Sequence, residues 1–257
     1  MKQKIKLIIN RLIKTTGFQF IAINKVEYEK LIDEDKIFSE IYDTCKPYTM
    51  TSKYRCYALY NAVRYAVKNN IAGDYVECGV WKGGSSMLIA KTLLSLGVTD
   101  KKLYLMDTFE GMSEPTEYDE YLPEKIDTKK TWQQASNRDG HNEWCYSSLD
   151  EVKNNMEKTE YPSKNIICIK GKVENTLTEK NSINDIAILR LDTDWYESTK
   201  VEMEKLYPLL QQNGVLILDD YGAWAGAKKA VDEYFDANDI NLLINRIDEG
   251  GRLMLKV

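Results

Sequence analysis

Two apolar runs in this chain each stop at a pair of aspartates. Residues 186–199 read IAILRLDTDWYEST and residues 214–224 read GVLILDDYGAW. The segment between them is amphipathic and long enough for a crossover helix, which would bring the two runs side by side as parallel strands. Asp192, Asp194, Asp219 and Asp220 then fall at the carboxyl ends of neighbouring strands, the edge where open α/β sheets bind ligands. Carboxylates crowded in this way need a cation or shared protons. A hard divalent ion on oxygen ligands is the first expectation. The bland alternative is that strand-end aspartates cap helices. It applies best to Asp194, just before Tyr196-Glu197-Ser198.

Composition narrows the setting. With 257 residues and 43% hydrophobic residues, the chain can bury the core of one large α/β domain. A net charge of −5 without a basic stripe argues against a nucleic-acid partner. Five scattered cysteines form no CxxC pair, which excludes a zinc ribbon or a disulfide framework and suits a reducing, cytoplasmic location. At the amino terminus, Asn10, Arg11 and Lys14 break the apolar run MKQKIKLIINRLIK, which argues against a signal peptide, and Ile5, Leu7, Ile8, Leu12 and Ile13 share one face of a docking or dimerisation helix. A membrane-surface helix is the competing reading, and no stretch is long enough to insert stably in a membrane. A homodimer or larger homo-oligomer follows from the docking reading. Abundant lysine, asparagine and isoleucine hint at an AT-rich bacterial genome.

In chain order, helices are expected over 3–14, 27–44 and 52–69. The strand 74–80 runs into Trp81-Lys82-Gly83-Gly84-Ser85-Ser86 and a helix from Met87 to Leu96. A strand, a glycine-rich turn and a helix amino terminus suit a nucleotide-like ligand, although any tight β–α turn has the same outline. The turn is neither GxGxxG nor a P-loop. A second strand, Leu103 to Met106, ends at Asp107, whose carboxylate could accept from a ribose diol or be simply solvated. Residues 110–146 lose all periodicity, carry clustered acids and contain Trp132, Trp144 and the only histidine, His141. A loop of that length reads as a lid or substrate-binding insertion rather than as disorder, given its aromatics. His141 could be a base or a substrate contact, or incidental. Then follow a helix at 148–159, a strand at 166–169 leading to Gly171-Lys172, the strand–helix–strand 186–218 with its helix at 196–210, a helix at 226–238, and closing strands at 241–247 and 252–257 around Asp248-Glu249-Gly250-Gly251.

Parallel β/α units closed by an antiparallel hairpin are the plan of an α/β, Rossmann-like, seven-stranded class I methyltransferase sheet. The expected division is an N-terminal helical extension over 1–70 and a catalytic domain over 71–257 with the insertion at 110–146. In that plan the first β–α turn holds the amino acid part of S-adenosylmethionine, and the fourth and fifth strand ends face the acceptor.

ECGVWKGGS at 77–85, DTFEG at 107–111, LRLDTDWYEST at 189–199, LYPLL at 206–210 and LDDYGAWAG at 218–226 resemble the TylF-like family of macrocin, mycinamicin and novobiocin sugar O-methyltransferases. MTSKYRCYALYNAVRYAV at 50–67 fits as well. The resemblance implies dependence on S-adenosylmethionine and on Mg²⁺ or Mn²⁺, and an acceptor hydroxyl on a sugar. It implies Asp192, Asp219 and Asp220 as metal ligands and Asp194 as general base. It implies Thr51, Glu77, Gly79, Ser85 and Asp107 as cofactor contacts, with Thr108 and Lys172 beside them at the second and third strand ends. His141 falls in the family's variable substrate-facing loop. The acceptor is expected to be a nucleotide-linked or surface-polysaccharide hexose or heptose, of capsule or lipopolysaccharide. A catechol-type O-methyltransferase and a non-catalytic S-adenosylmethionine-binding protein are the alternatives.

Overall fold

The structure is a computed structural model that describes residues 32–136, 140–178 and 182–257. The helix expected over 3–14 lies outside these residues, as does the start of the one expected over 27–44; Lys36–Cys45 is helical (α1). Ile37–Val257 forms one compact unit. Among the described residues no helix is long and apolar enough to cross a membrane.

Seven strands form one sheet: β1 (Asp74–Cys78), β2 (Leu103–Asp107), β3 (Ile166–Lys170), β4 (Ile186–Leu191), β5 (Leu210–Leu218), β6 (Asn245–Arg246) and β7 (Arg252–Leu255). Their order is β3-β2-β1-β4-β5-β7-β6, with β7 antiparallel to both its neighbours and the other pairs parallel. This is the class I methyltransferase arrangement. Strand order reverses between β1 and β4, and that reversal opens the crevice of a doubly wound sheet. Register pairs Cys78 with Leu191 and Leu191 with Leu218, so the turns after β1, β4 and β5 leave the sheet together.

The central strands are apolar on both faces because helices cover both. Tyr104, Leu189, Met203, Leu216 and Met254 sit in one core with at most 1% exposure each. Helix α2 (Lys53–Lys68) is capped by Ser52, whose hydroxyl accepts from Arg55 N. It packs against α3 (Gly84–Ser95) and against β4 and β5. The crossover helix α7 (Tyr196–Lys205) stops short of residue 210 because Pro208 sits in a 3₁₀ turn, Tyr207–Leu209. The chain then enters β5 four residues earlier than the pattern suggests. The closing hairpin is also shorter: β6 covers only Asn245–Arg246 because β7 offers it partners at Arg252 and Leu253 alone.

The insertion is folded. It contains α4 (Thr128–Ala135), and its chain bonds to the segment after β5 through Leu122 N to Ala223 O (2.8 Å) and Ala225 N to Glu120 O (2.9 Å). Trp144, Trp195 and Trp224 meet edge to face or tilted at 4.9–6.1 Å between ring centres. Half-buried Trp132 and buried Trp195 donate their indole N–H groups to Met112 O and Ser113 O, so neither donor is orphaned. The remaining helices are α5 (Leu149–Glu157), α6 (Val173–Thr176) and α8 (Ala225–Ala237).

Candidate active site

The turns leaving β1, β2, β4 and β5 enclose a cleft of about 1120 Å³, including its open mouth. Thr51, Glu77, Gly79, Ser85, Asp107, Thr108 and Lys172 all line it, and so do Asp192, Asp194, Asp219 and Asp220. His141 does not. It lines a separate pocket with Phe109, its ring 4.0 Å from that of Tyr146 and its Nε2 2.9 Å from Glu143 Oε1.

The β1–α3 turn owes its shape to close backbone approaches. Gly79 has φ +80°, and a Cβ there would lie 2.0 Å from Asp192 O. One at Gly84 would lie 2.5 Å from the Tyr48 carbonyl. Asp107 ties this turn to the end of β2: its carboxylate accepts from Val80 N (2.6 Å), Trp81 N (3.2 Å) and Phe109 N (2.7 Å). Burial pushes Asp107 up, and these N–H groups pull against that. The expected ribose acceptor thus lines the cleft with most of its accepting capacity already committed to backbone.

The carboxylates divide unequally. Asp192, Asp194 and Asp220 each present an oxygen within 4.8 Å of the others. Asp194 takes φ +66°, a left-handed conformation that aspartate tolerates, at the turn closed by Trp195 N to Thr193 O (2.7 Å). It does not cap α7; Tyr196 N instead donates to Asp119 Oδ1 of the insertion at 2.8 Å. Burial raises all three carboxyls, Asp194 to about 7, and mutual repulsion adds to it at Asp192 and Asp220. Asp220 Oδ2 is buried and has no hydrogen-bond partner. An orphaned, buried acceptor between two further carboxylates is a donor set that fits a hard divalent cation.

Asp219 is held apart from this trio. Its Oδ1 accepts from Arg190 Nη2 at 2.7 Å and its Oδ2 from Arg55 Nη1 at 2.5 Å. Arg55 continues to Asp248, which also accepts from Ser52 and the Gly250 and Gly251 N–H groups. Arg190 donates as well to Glu77 (2.7 Å), Asp192 (2.8 Å) and Thr51 (3.0 Å). Glu77 accepts a further bond from Ser86. Neither arginine is visible as a functional residue from spacing alone. Arg190 breaks an otherwise apolar strand, and that break was the available signal.

Residues 21–255 match the family model described as macrocin O-methyltransferase (TylF). This chain belongs to the macrocin O-methyltransferase family. Among curated relatives of the TylF family, demethyldecarbamoylnovobiocin O-methyltransferase of Streptomyces niveus is 32% identical over 202 residues, 77% of this chain and 73% of that protein. Mycinamicin III 3''-O-methyltransferase of Micromonospora griseorubida is 26% identical over 245 residues, 93% of this chain and 92% of that protein. The solved structure of the O-methyltransferase NovP superimposes with a TM-score of 0.71 at 30% identity, over 82% of both chains. As a TylF-family O-methyltransferase the chain is an enzyme of the S-adenosylmethionine-dependent class.

Proposed function

We propose that the protein moves the methyl group of S-adenosylmethionine to a hydroxyl of a sugar with the help of a divalent cation. The observation that carries this reading is the meeting, in one cleft, of the glycine-rich turn and Glu77 with three converging carboxylates, one bearing an orphaned oxygen. A relative from Streptomyces olivaceus whose name specifies a rhamnosyl-bearing acceptor, a tetracenomycin-C 4'-O-methyltransferase, supports the substrate class. The insertion brings Gly111, Met112, Ser113 and Cys145 to the cleft wall.

When bound, S-adenosylmethionine supplies a sulfonium methyl, and a divalent cation lowers the pKa of a hydroxyl it binds. The chain supplies the rest. Thr51, Glu77, Gly79, Ser85, Thr108 and Lys172 border the cofactor's place, while Asp107 keeps the β1–α3 turn in shape. Asp192 and Asp220 would be the cation ligands, a role supported by their converging carboxylate oxygens. Asp219 joins them only if Arg55 or Arg190 releases one of its oxygens. Asp194 is the proton acceptor for the sugar hydroxyl, its carboxyl raised to about 7 chiefly by burial. His141, outside the cleft, takes no part in the transfer.

We place the enzyme in the cytoplasm as a homo-oligomer acting on a nucleotide-linked or surface-polysaccharide sugar, with 1–70 as a covering extension to the catalytic domain. The test is a panel of nucleotide-linked hexoses and heptoses and free glycosides, incubated with S-adenosylmethionine and Mg²⁺ and read by mass for one added methylene. Transfer to a sugar hydroxyl is expected. Transfer only to catechols, or cofactor binding with no turnover on any acceptor, would overturn the reading.

A further inference from the structure

Arg190 touches both halves of the cleft. It is 1% exposed, and its two terminal nitrogens each serve both sides. Nη1 donates to Glu77 Oε1 on the cofactor side and to Asp192 Oδ2 in the carboxylate trio. Nη2 donates to Thr51 Oγ1 on the cofactor side and to Asp219 Oδ1 beyond β5. The register explains this reach. Glu77 and Arg190 are partners on β1 and β4, so the guanidinium emerges between the two strand ends. A guanidinium is planar and its donors are fixed relative to one another. Tightening one bond on Nη1 therefore moves or weakens the other.

We propose that Arg190 couples the two subsites, so that filling the carboxylate site with a cation raises the cofactor affinity of the cleft, and cofactor raises cation affinity by the same factor. This rests on the cofactor- and cation-dependent reading given above. With the trio empty of positive charge, Asp192 draws Arg190 towards itself, in competition with Glu77. A divalent ion on Asp192 and Asp220 neutralises Asp192 and repels the guanidinium. Arg190 then commits Nη1 to Glu77. Glu77, already held on its other oxygen by Ser86, becomes fixed at the wall of the cofactor pocket. Fixing a binding group before the ligand arrives removes an ordering cost from binding. Arg190 is a positioning residue in this scheme: it acts on the ligands through Glu77 and Asp192 and need not touch either.

The experiment is a pair of calorimetric titrations on the full chain. S-adenosylhomocysteine is titrated in chelator and in saturating Mn²⁺, and Mn²⁺ is titrated with and without S-adenosylhomocysteine. The expected result is an affinity gain of at least about five-fold, equal in both directions because linkage is reciprocal. Arg190→Lys keeps the charge but cannot hold two pairs of acceptors, and the factor is expected to fall below about two-fold even where each single affinity also drops. If Arg190→Lys does not unfold cooperatively, Glu77→Gln carries the test. It keeps the side chain's shape and removes the charge with which Asp192 competes for Arg190, and the factor should collapse there too. Binding of both ligands to wild type without coupling, or unchanged coupling in a folded variant, overturns the linkage alone. Failure of wild type to bind S-adenosylhomocysteine or Mn²⁺ at all overturns the functional reading, and the linkage with it.

Discussion

Thr193 Oγ1, set between the two acids of the Asp192–Asp194 turn, donates across 3.1 Å to Glu202 Oε2 on the buried side of α7. Glu202 has no solvent exposure, and its other oxygen has no hydrogen-bond partner. Burial raises its carboxyl above the usual range, and it tethers the turn from behind. Glu202→Gln preserves that tether and should leave turnover close to wild type. Glu202→Leu frees Thr193 and lets the Asp192 and Asp194 carboxylates drift, and kcat should fall by up to about 100-fold with cofactor affinity little changed. Steady-state kinetics beside a cofactor titration separate the two effects.

Cation dependence divides the aspartates by function. Chelator should abolish methyl transfer, and Mg²⁺ or Mn²⁺ should restore it; full activity in EDTA would remove the metal from the mechanism. Asp220→Asn should weaken Mn²⁺ binding at least about ten-fold, since it deletes the anionic ligand with the orphaned oxygen. Asp194→Asn should keep Mn²⁺ binding and lose turnover, as expected of a proton acceptor. Asp219→Asn decides whether that residue ligates: if it serves only Arg190 and Arg55, Mn²⁺ affinity survives.

Acid stability should report on Asp248. Burial works to raise its pKa, but Gly251 N–H, Ser52 and Arg55 together outweigh burial and hold it below its ordinary value. The folded protein therefore binds this proton more weakly than the unfolded chain, whose aspartates titrate near ~3.9. Its stabilisation is complete above that pH and is lost as pH falls through the folded value. Asp248→Asn should lower stability at neutral pH and flatten the acid limb of a plot of unfolding midpoint against pH. An acid limb identical to wild type would show that other carboxylates govern it.

Gly79→Ala tests the β1–α3 turn. The methyl would collide with the Asp192 carbonyl in a backbone conformation that costs an alanine roughly 1–2 kcal/mol before any clash. Cofactor affinity and turnover should both fall, because the same displacement moves the cofactor turn and the first acid of the trio. A variant with wild-type cofactor affinity would show that the turn yields without consequence.

The parallel part of the sheet was legible because each of its five strands carries a short apolar run ending at or just before a glycine or an acid, as strands buried on both faces do. The meeting of Asp192, Asp194 and Asp220 was legible for the same reason. What escaped was set by tertiary partners. Nothing in the spacing shows that Asp219 turns to two arginines, or that one of them comes from a helix far upstream. The cap that Asp194 could have supplied to α7 comes from Asp119, which looked like one acid among several in an irregular stretch. The extent of β6 was misjudged because apolar alternation over 241–247 cannot show how short the partner strand is. His141 drew notice for its rarity, and rarity carries no geometric information.

The insertion is fastened by Trp144 against Trp224 and by its backbone at Leu122 and Glu120, none of which lines the cleft. Anchorage and recognition are thereby separable. The recognition surface is free to diverge while the fastening stays constant, so one scaffold can be retargeted to new acceptors without refounding its fold. Exchanging the segment between the anchors with that of a relative is, on this architecture, a transplant that the host sheet should accept.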